Sequence, residues 1–349
     1  MSGGPRRRYA VLAENRLHNA KTAHGVLRYG KDEVVAVLDS TLAGRTVAGA
    51  MPGLLPGPER DAPIVASLEE ALAHDPTSLL VGVAPAGGRL PVEWMETLGE
   101  AAGAGLEIVG GLHQRLTPEF PGAEVWDVRE PPSEVPIFSG EGFAVEPKVA
   151  LTVGTDAAIG KMTATLEIQR AAGEKGITTG FVPTGQTGVI IAGWGVCVDA
   201  VVSDFVAGVS EMLVLRAAEP SPDLILVEGQ GSLAHPAYSG VTLGLLHGSC
   251  PDCLILCVSP DDSLGYAGVP RPTPARAIRL YEEVAALVRP APVVAVSANT
   301  RGLSNEDART FVERVAVETG LPTADPFRTG ADPILEAVLG TPKTNAGKS

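Results

Sequence analysis

The chain has 349 residues, 45% of them apolar and only 4% aromatic, enough for two α/β cores whose parallel strands are continuous Val, Ile and Leu runs. A formal net charge of −14 argues against a nucleic-acid partner, because counterion release needs a basic footprint. No apolar run approaches the ~20 residues of a membrane span, and the arginines of MSGGPRRRYAVLAEN lead through Val11-Leu12 to Glu14-Asn15, so the expectation is a cytoplasmic protein without signal peptide or membrane contact.

The first half alternates strands and helices. Tyr9–Ala13 reads as a strand, Asn19–Tyr29 as a helix and Val34–Leu38 as the next strand, ending at Asp39-Ser40. The loop MPGLLPGPERDAP precedes a short strand at Ile64-Val65 and a helix from Ser67 to His74. Ser67 is the expected N-cap, with Glu69 and Glu70 in the first turn, where the helix dipole favours carboxylates. A strand at Leu79–Val83, a turn through Pro85-Ala86-Gly87-Gly88, a helix at Pro91–Ala104 and a strand at Glu107–Val109 complete the pattern. Such alternation predicts right-handed βαβ units and an open parallel sheet, a Rossmann-like domain over residues 1–112. No G-x-G-x-x-G follows the first strand; Glu14-Asn15-Arg16 stands there, so no dinucleotide is expected. Arg16, His18, Lys21 and His24 either line a ligand crevice at the strand ends or form the polar face of the first helix. The strand–helix–strand rhythm of PIVASLEEALAHDPTSLLVGVAP resembles the CoA-binding Rossmann-type domain of succinyl-CoA synthetase-like proteins. Residues 113–147 carry Pro118, Pro121, Pro131, Pro132 and Pro136 with little periodicity and read as an interdomain linker.

The stretch KVALTVGTDAAIGKMTAT then organises a second domain, 148–340. An apolar run, Val149–Val153, reads as a buried strand; it breaks at Gly154, and Gly160-Lys161 heads a helical pattern. Strand, glycine-bounded loop, lysine and helix together make a phosphate-binding loop. Backbone N–H groups face an anion, the helix N-terminus adds partial positive charge, and the lysine neutralises terminal phosphates. Gly154, Thr155, Asp156, Gly160, Lys161, Met162 and Thr163 are the candidate phosphate contacts. Met162 stands where a Ser or Thr hydroxyl usually holds Mg²⁺, and Thr163 follows it.

A helix over Ala164–Gly176 and a strand at Thr179–Val182 lead into the polar turn PTGQTG, whose Thr184, Gly185, Gln186 and Thr187 sit at the strand end where α/β sheets hold ligands. A helix running through Leu215 follows. The strand Leu224–Val227 delivers Glu228, then Gly229, a carboxylate placed to hold Mg²⁺ beside phosphates or to cap a turn. His235, on the following loop, is a candidate base or a structural histidine. Cys253–Val258 is a buried strand. Cys250 and Cys253 have C-x-x-C spacing, but no second pair or spaced histidine accompanies them, so reduced thiols are expected. A loop from Tyr266 to Pro274 is placed to cover a site; a helix at Ile278–Val288 and a strand at Val293–Ser297 follow. Asn299, at that strand's end, is a candidate reader of a base or ribose, or a turn residue. Helices at Glu306–Thr319 and Ile334–Leu339 precede a tail, 341–349, whose Gly-Lys-Ser lacks a flanking strand and reads as frayed.

Two motifs carry a family resemblance. GTDAAIGKM at Gly154–Met162 resembles the phosphate loop of dethiobiotin synthetase, and VEGQG at Val227–Gly231 resembles that enzyme's magnesium segment. With PTGQTG and VEGQGSLAHPAYSG, the two-domain chain is identified as a member of the DUF1611 family, which includes the DgcN-like D-glutamate N-acetyltransferases. The resemblance implies a Rossmann-like domain followed by a P-loop NTPase-like domain, a small-molecule substrate (an amino acid or a small carboxylate) and a homo-oligomer. It implies either of two mechanisms. An acetyl group moves from acetyl-CoA to an amino acid such as D-glutamate, with Lys161 on a CoA phosphate and Glu228 or His235 as base. Alternatively, ATP and Mg²⁺ activate a carboxylate or carbamate, with Asp156, Thr163 and Glu228 organising the metal. A nucleotide-binding regulator without catalysis is the third class.

Overall fold

The computed structural model describes residues 6–83, 90–260 and 266–344, so the expected turn at 85–88 and the Gly-Lys-Ser at 347–349 lie outside the described residues. The chain forms two compact units: Met1–Glu130 with Gln186–Cys197, and Pro131–Gly185 with Val198–Ser349.

In the first unit, β1 (Arg8–Leu12), α1 (Lys21–Tyr29), β2 (Glu33–Leu38), α2 (Val47–Ala50), β3 (Ile64–Val65), α3 (Leu68–Leu72), β4 (Ser78–Val81), α4 (Val92–Gly103), β5 (Glu107–Gly110) and β6 (Val125–Asp127) follow in order. The parallel sheet runs β3-β2-β1-β4-β5-β6, the Rossmann order, with Leu12 opposite Leu38 on one side and Val81 on the other. Ala10, Val11, Leu79 and Leu80 are fully buried, as strands covered on both faces must be. Ser67 caps α3 by accepting from Glu70 N at 3.2 Å, and Glu70 reaches back to Ala66 N at 2.9 Å. β6 lies in the stretch expected to be a linker; Asp127 at its end accepts from Leu116 N and Thr117 N, both at 2.9 Å, closing the preceding loop. Asp39, buried after β2, accepts from Leu17 N and Thr41 N, each at 3.1 Å, and so closes two loops of its own unit.

The second half of the chain contains β7 (Lys148–Gly154), α5 (Lys161–Glu174), β8 (Thr179–Val182), α6 (Gln186–Ala192), α7 (Val206–Ala218), β9 (Leu224–Val227), α8 (Ser239–Gly248), β10 (Cys253–Val258), α9 (Pro274–Ala285), β11 (Val293–Ala298), α10 (Asn305–Thr319), β12 (Thr323–Ala324) and α11 (Asp332–Gly340). Its parallel sheet runs β12-β11-β10-β7-β9-β8, which puts β7 between β10 and β9. Ala150, Leu226 and Ile255 from three adjacent strands pack with Ile168 of α5 and Ile334, Leu335 and Val338 of α11. α6, though in this half of the sequence, belongs with the first unit: it packs on α1, where the Thr187 and Thr22 hydroxyls hydrogen-bond at 3.1 Å. α9 starts earlier than its apolar spacing suggests, because Thr273 caps it, accepting from Arg276 N at 3.3 Å, and Pro274 occupies the first turn. α8 presses onto the start of α7 through glycine: a Cβ at Gly248 would lie 2.1 Å from Ala207 O.

Cys250 and Cys253 are buried, and burial pushes both thiols up to about 12; Cys250 Sγ donates to the His247 and Gly248 carbonyls at 3.7 Å. Of the expected tail, Lys343 Nζ donates to Glu146 O at 2.8 Å and Thr344 N to the buried Asp252 carboxylate at 2.9 Å. Among the described residues, no helix is long and apolar enough to cross a membrane.

Candidate functional site

β7 ends in the centre of its sheet at Gly154, and the chain turns through six residues before α5 begins at Lys161. Gly160 takes φ +101°, and a Cβ there would sit 3.2 Å from Asn299 Nδ2, so the last loop position is one for glycine. Asn299, after β11, donates its side-chain amide to Ile159 O at 3.0 Å, and Thr155 N donates to Cys257 O at 3.1 Å. Asn299 therefore braces the loop. Lys161 Nζ donates to Asp156 O at 2.7 Å. Its burial lowers the ammonium pKa to about 8, against the raising effect of Cys257, Asp156 and Glu228. Met162 and Thr163 follow on the first turn of the helix, both half-buried.

Glu228 leaves the end of β9 buried, with Oε2 accepting from Thr184 N at 3.1 Å and Gly185 N at 3.3 Å. Thr184 Oγ1 donates back to Glu228 O at 2.7 Å. Desolvation raises this carboxyl to about 7, although the two amides and Lys161 favour its charged form. The next peptide is tied to the phosphate loop. Gly229 N donates to Thr152 Oγ1 at 2.9 Å, Thr152 and Thr165 hydroxyls lie 3.1 Å apart, and Thr165 Oγ1 donates to Lys161 O at 2.9 Å. Thr165 gives its proton to Lys161 O, and the Thr152 hydroxyl faces two acceptors, Thr165 Oγ1 and Val227 O, the latter at 3.4 Å. The result links the Glu228–Gly229 peptide to the first residue of α5 through two threonine hydroxyls. The fit is tight: a Cβ on Gly229 would lie 1.7 Å from Thr152 O. Gly229→Ala is expected to cost about 3 kcal/mol or more in urea unfolding, while Gly173→Ala, whose added methyl meets nothing within 4 Å, leaves the midpoint unchanged or raised.

A second cluster surrounds the Asp156 side chain. Its carboxylate pairs with Arg271, accepts from Ala157 N at 2.6 Å and lies 3.8 Å from His235 Nε2. His235 Nδ1 accepts from Ala237 N at 3.1 Å and the ring stacks on Tyr238 at 4.5 Å. A ring nitrogen that accepts a backbone N–H holds no proton, so the proton of neutral His235 is on Nε2, toward Asp156. Tyr281 of α9, buried, donates to Gly154 O at 2.8 Å and accepts from Leu233 N at 3.1 Å, joining the phosphate loop to the His235 loop.

Lys161, Asp156, Glu228, Gly229, His235, Thr184 and Gly185 thus meet within one unit. Gln186 and Thr187 belong with the first unit, where Gln186 Oε1 accepts from Arg129 at 3.1 Å. Sequence reasoning passed over Thr152, Thr165, Tyr281 and Arg271. Thr152 left a trace as the polar residue within the apolar run Val149–Val153, and Arg271 as part of the 266–274 loop expected to cover a site.

Comparison with known proteins supplies the family. The signature described as "Domain of unknown function (DUF1611_C) P-loop domain" matches residues 136–335, and that described as "Domain of unknown function (DUF1611_N) Rossmann-like domain" matches residues 40–131. A relative from a Pseudoalteromonas species, named D-glutamate N-acetyltransferase, is 37% identical over 77% of this chain and 83% of its own length. One of the same name from Tritonibacter scottomollicae is 38% identical over 78% of this chain and 84% of its own. The crystal structure of a DUF1611 family protein from Anabaena variabilis superimposes with a TM-score of 0.87 at 38% identity, covering 95% of this chain and 99% of that one. With both domain signatures present and the whole architecture shared, the chain belongs to the DUF1611 family.

Proposed function

We propose that this protein is an N-acetyltransferase that moves an acetyl group from acetyl-CoA to the amino group of a small, D-glutamate-like amino acid. The observation that carries the reading is Glu228, a buried carboxyl brought to about 7 beside the phosphate-loop lysine. Burial raises the proton affinity of this carboxylate toward that of the amine it would deprotonate, as suits a general base. The names of the two relatives support the same chemistry.

In this reading Lys161, the loop amides and the N-terminus of α5 bind a CoA phosphate. Glu228 takes one proton from the acceptor's ammonium group, freeing the amine. The amine nitrogen attacks the thioester carbonyl; the C–N bond forms, the C–S bond breaks, and the second nitrogen proton goes to the departing sulfur. His235 is a donor in this scheme, since its Nε2 already holds the ring proton and its Nδ1 is occupied by Ala237 N–H.

The residues fit Mg²⁺ poorly. Met162 offers a thioether where a hydroxyl is needed, and the Asp156 carboxylate is paired with Arg271. We therefore route no step through a metal. Calorimetric titration with acetyl-CoA should show binding that is unchanged by EDTA, and the protein should acetylate D-glutamate. Binding of ATP that requires Mg²⁺, with none of acetyl-CoA, would reverse the reading in favour of an ATP-dependent ligase.

A further inference from the structure

We infer that Arg271 is the residue that selects an acidic acceptor, its guanidinium taking a carboxylate of the amino-acid substrate in exchange for the carboxylate of Asp156. The inference rests on the acetyl-transfer reading above and extends it to the acceptor.

Three observations carry it. First, Lys161 and Arg271 meet different parts of Asp156: the lysine takes the backbone carbonyl at the phosphate loop, and the guanidinium takes the side chain. The loop amides and Lys161 suit a phosphate, which leaves Arg271 as the cation whose present partner is already a carboxylate. Second, Asp156 is not stranded when Arg271 turns to a substrate. Ala157 N donates to its carboxylate at 2.6 Å, and the Lys161 ammonium, which feels the Asp156 charge, is held on the same residue's backbone carbonyl at 2.7 Å, so a cation stays beside Asp156 when the guanidinium exchanges one carboxylate for another. An arginine fork is suited to that exchange, because it binds carboxylates in a planar, bidentate way.

Third, the arginine is held in place before any ligand arrives. Pro270 and Pro272 flank it, which limits the backbone on both sides. Thr273 then caps α9, and Tyr281 on that helix is bonded to Gly154 O at 2.8 Å. α9 and the loop that leads into it thus grip the phosphate loop twice, through Tyr281 and through Arg271. Ordering a long side chain ahead of binding removes part of its entropic cost.

The test uses the full chain and direct binding of D-glutamate by calorimetry, alongside acetylation assays. Arg271→Gln is expected to weaken D-glutamate binding, and to raise its KM, by about 10- to 100-fold, with acetyl-CoA affinity within about threefold. Arg271→Lys, which keeps the charge but not the fork, should fall between the two and retain the wild-type melting curve. D-Glutamine and D-isoglutamine identify the carboxylate engaged: the analogue that lacks it binds wild type and Arg271→Gln equally. Unchanged D-glutamate binding in both variants, or a loss confined to acetyl-CoA, overturns the assignment. So does a wild-type protein that binds no D-glutamate. Arg271-dependent binding of D-glutamate without acetyl transfer would instead uphold Arg271 and sink the transferase reading.

Discussion

Glu228→Gln should lower turnover about 10²- to 10⁴-fold, the range of a lost general base, while acetyl-CoA affinity stays within about threefold. The amide keeps an oxygen for the Thr184 and Gly185 N–H groups, so the variant isolates proton transfer from loop geometry. Wild-type kcat/KM should rise with pH through about 7, as Glu228 ionises, and this limb should vanish in the variant. Unfolding supplies the control. A carboxyl whose folded pKa is raised costs stability as pH climbs from its unfolded value of 4.5 through about 7, and glutamine has no such cost. Above pH 7 the variant should therefore melt no lower than wild type. Equal turnover in the two proteins would remove Glu228 from the mechanism.

Lys161→Ala should weaken acetyl-CoA binding by about 10- to 100-fold, the worth of a charge-assisted contact to phosphate. The loss should be largest at neutral pH. In wild type the ammonium is given up as pH passes about 8, so affinity should decline there, whereas the variant's affinity should be flat over the same interval. Binding at pH 8 should also take up protons in wild type, because a bound phosphate restores the charge that burial disfavours. A variant with full affinity would mean that the anion sits elsewhere. The fold should survive, since Lys161 is a buried cation whose charged form burial already disfavours.

The strands were the most legible part of the sequence. Thr179–Val182, Leu224–Val227 and Cys253–Val258 announce themselves as apolar runs, and they coincide with β8, β9 and β10. α8 left no comparable signal. SGVTLGLLHG has three glycines and no polar stripe, because it packs through Gly244 and Gly248 against the start of α7 rather than presenting an amphipathic face. β6 is three residues long, too short for any periodicity to show. At the candidate site, the glycines and Lys161 could be read because the loop is continuous in sequence. Arg271 could be read only as part of a loop suited to covering a site; its partner Asp156 lies 115 positions away, so nothing local in the sequence pairs them. Asn299 shows the converse, a strand-end polar residue whose amide goes to the protein's own Ile159 carbonyl.

The placement of α6 bears on how the chain is made. A nascent polypeptide that has cleared the ribosome as far as residue 147 contains all six strands of the first sheet, yet lacks the helix that covers α1. Domains ordinarily fold in turn as they emerge, but here the N-terminal one is completed only when 186–197 arrives, after β7, the phosphate loop and β8 have already been synthesised. Synthesis of the two units is thereby interleaved, and the phosphate loop is translated before the N-terminal unit has received its last helix.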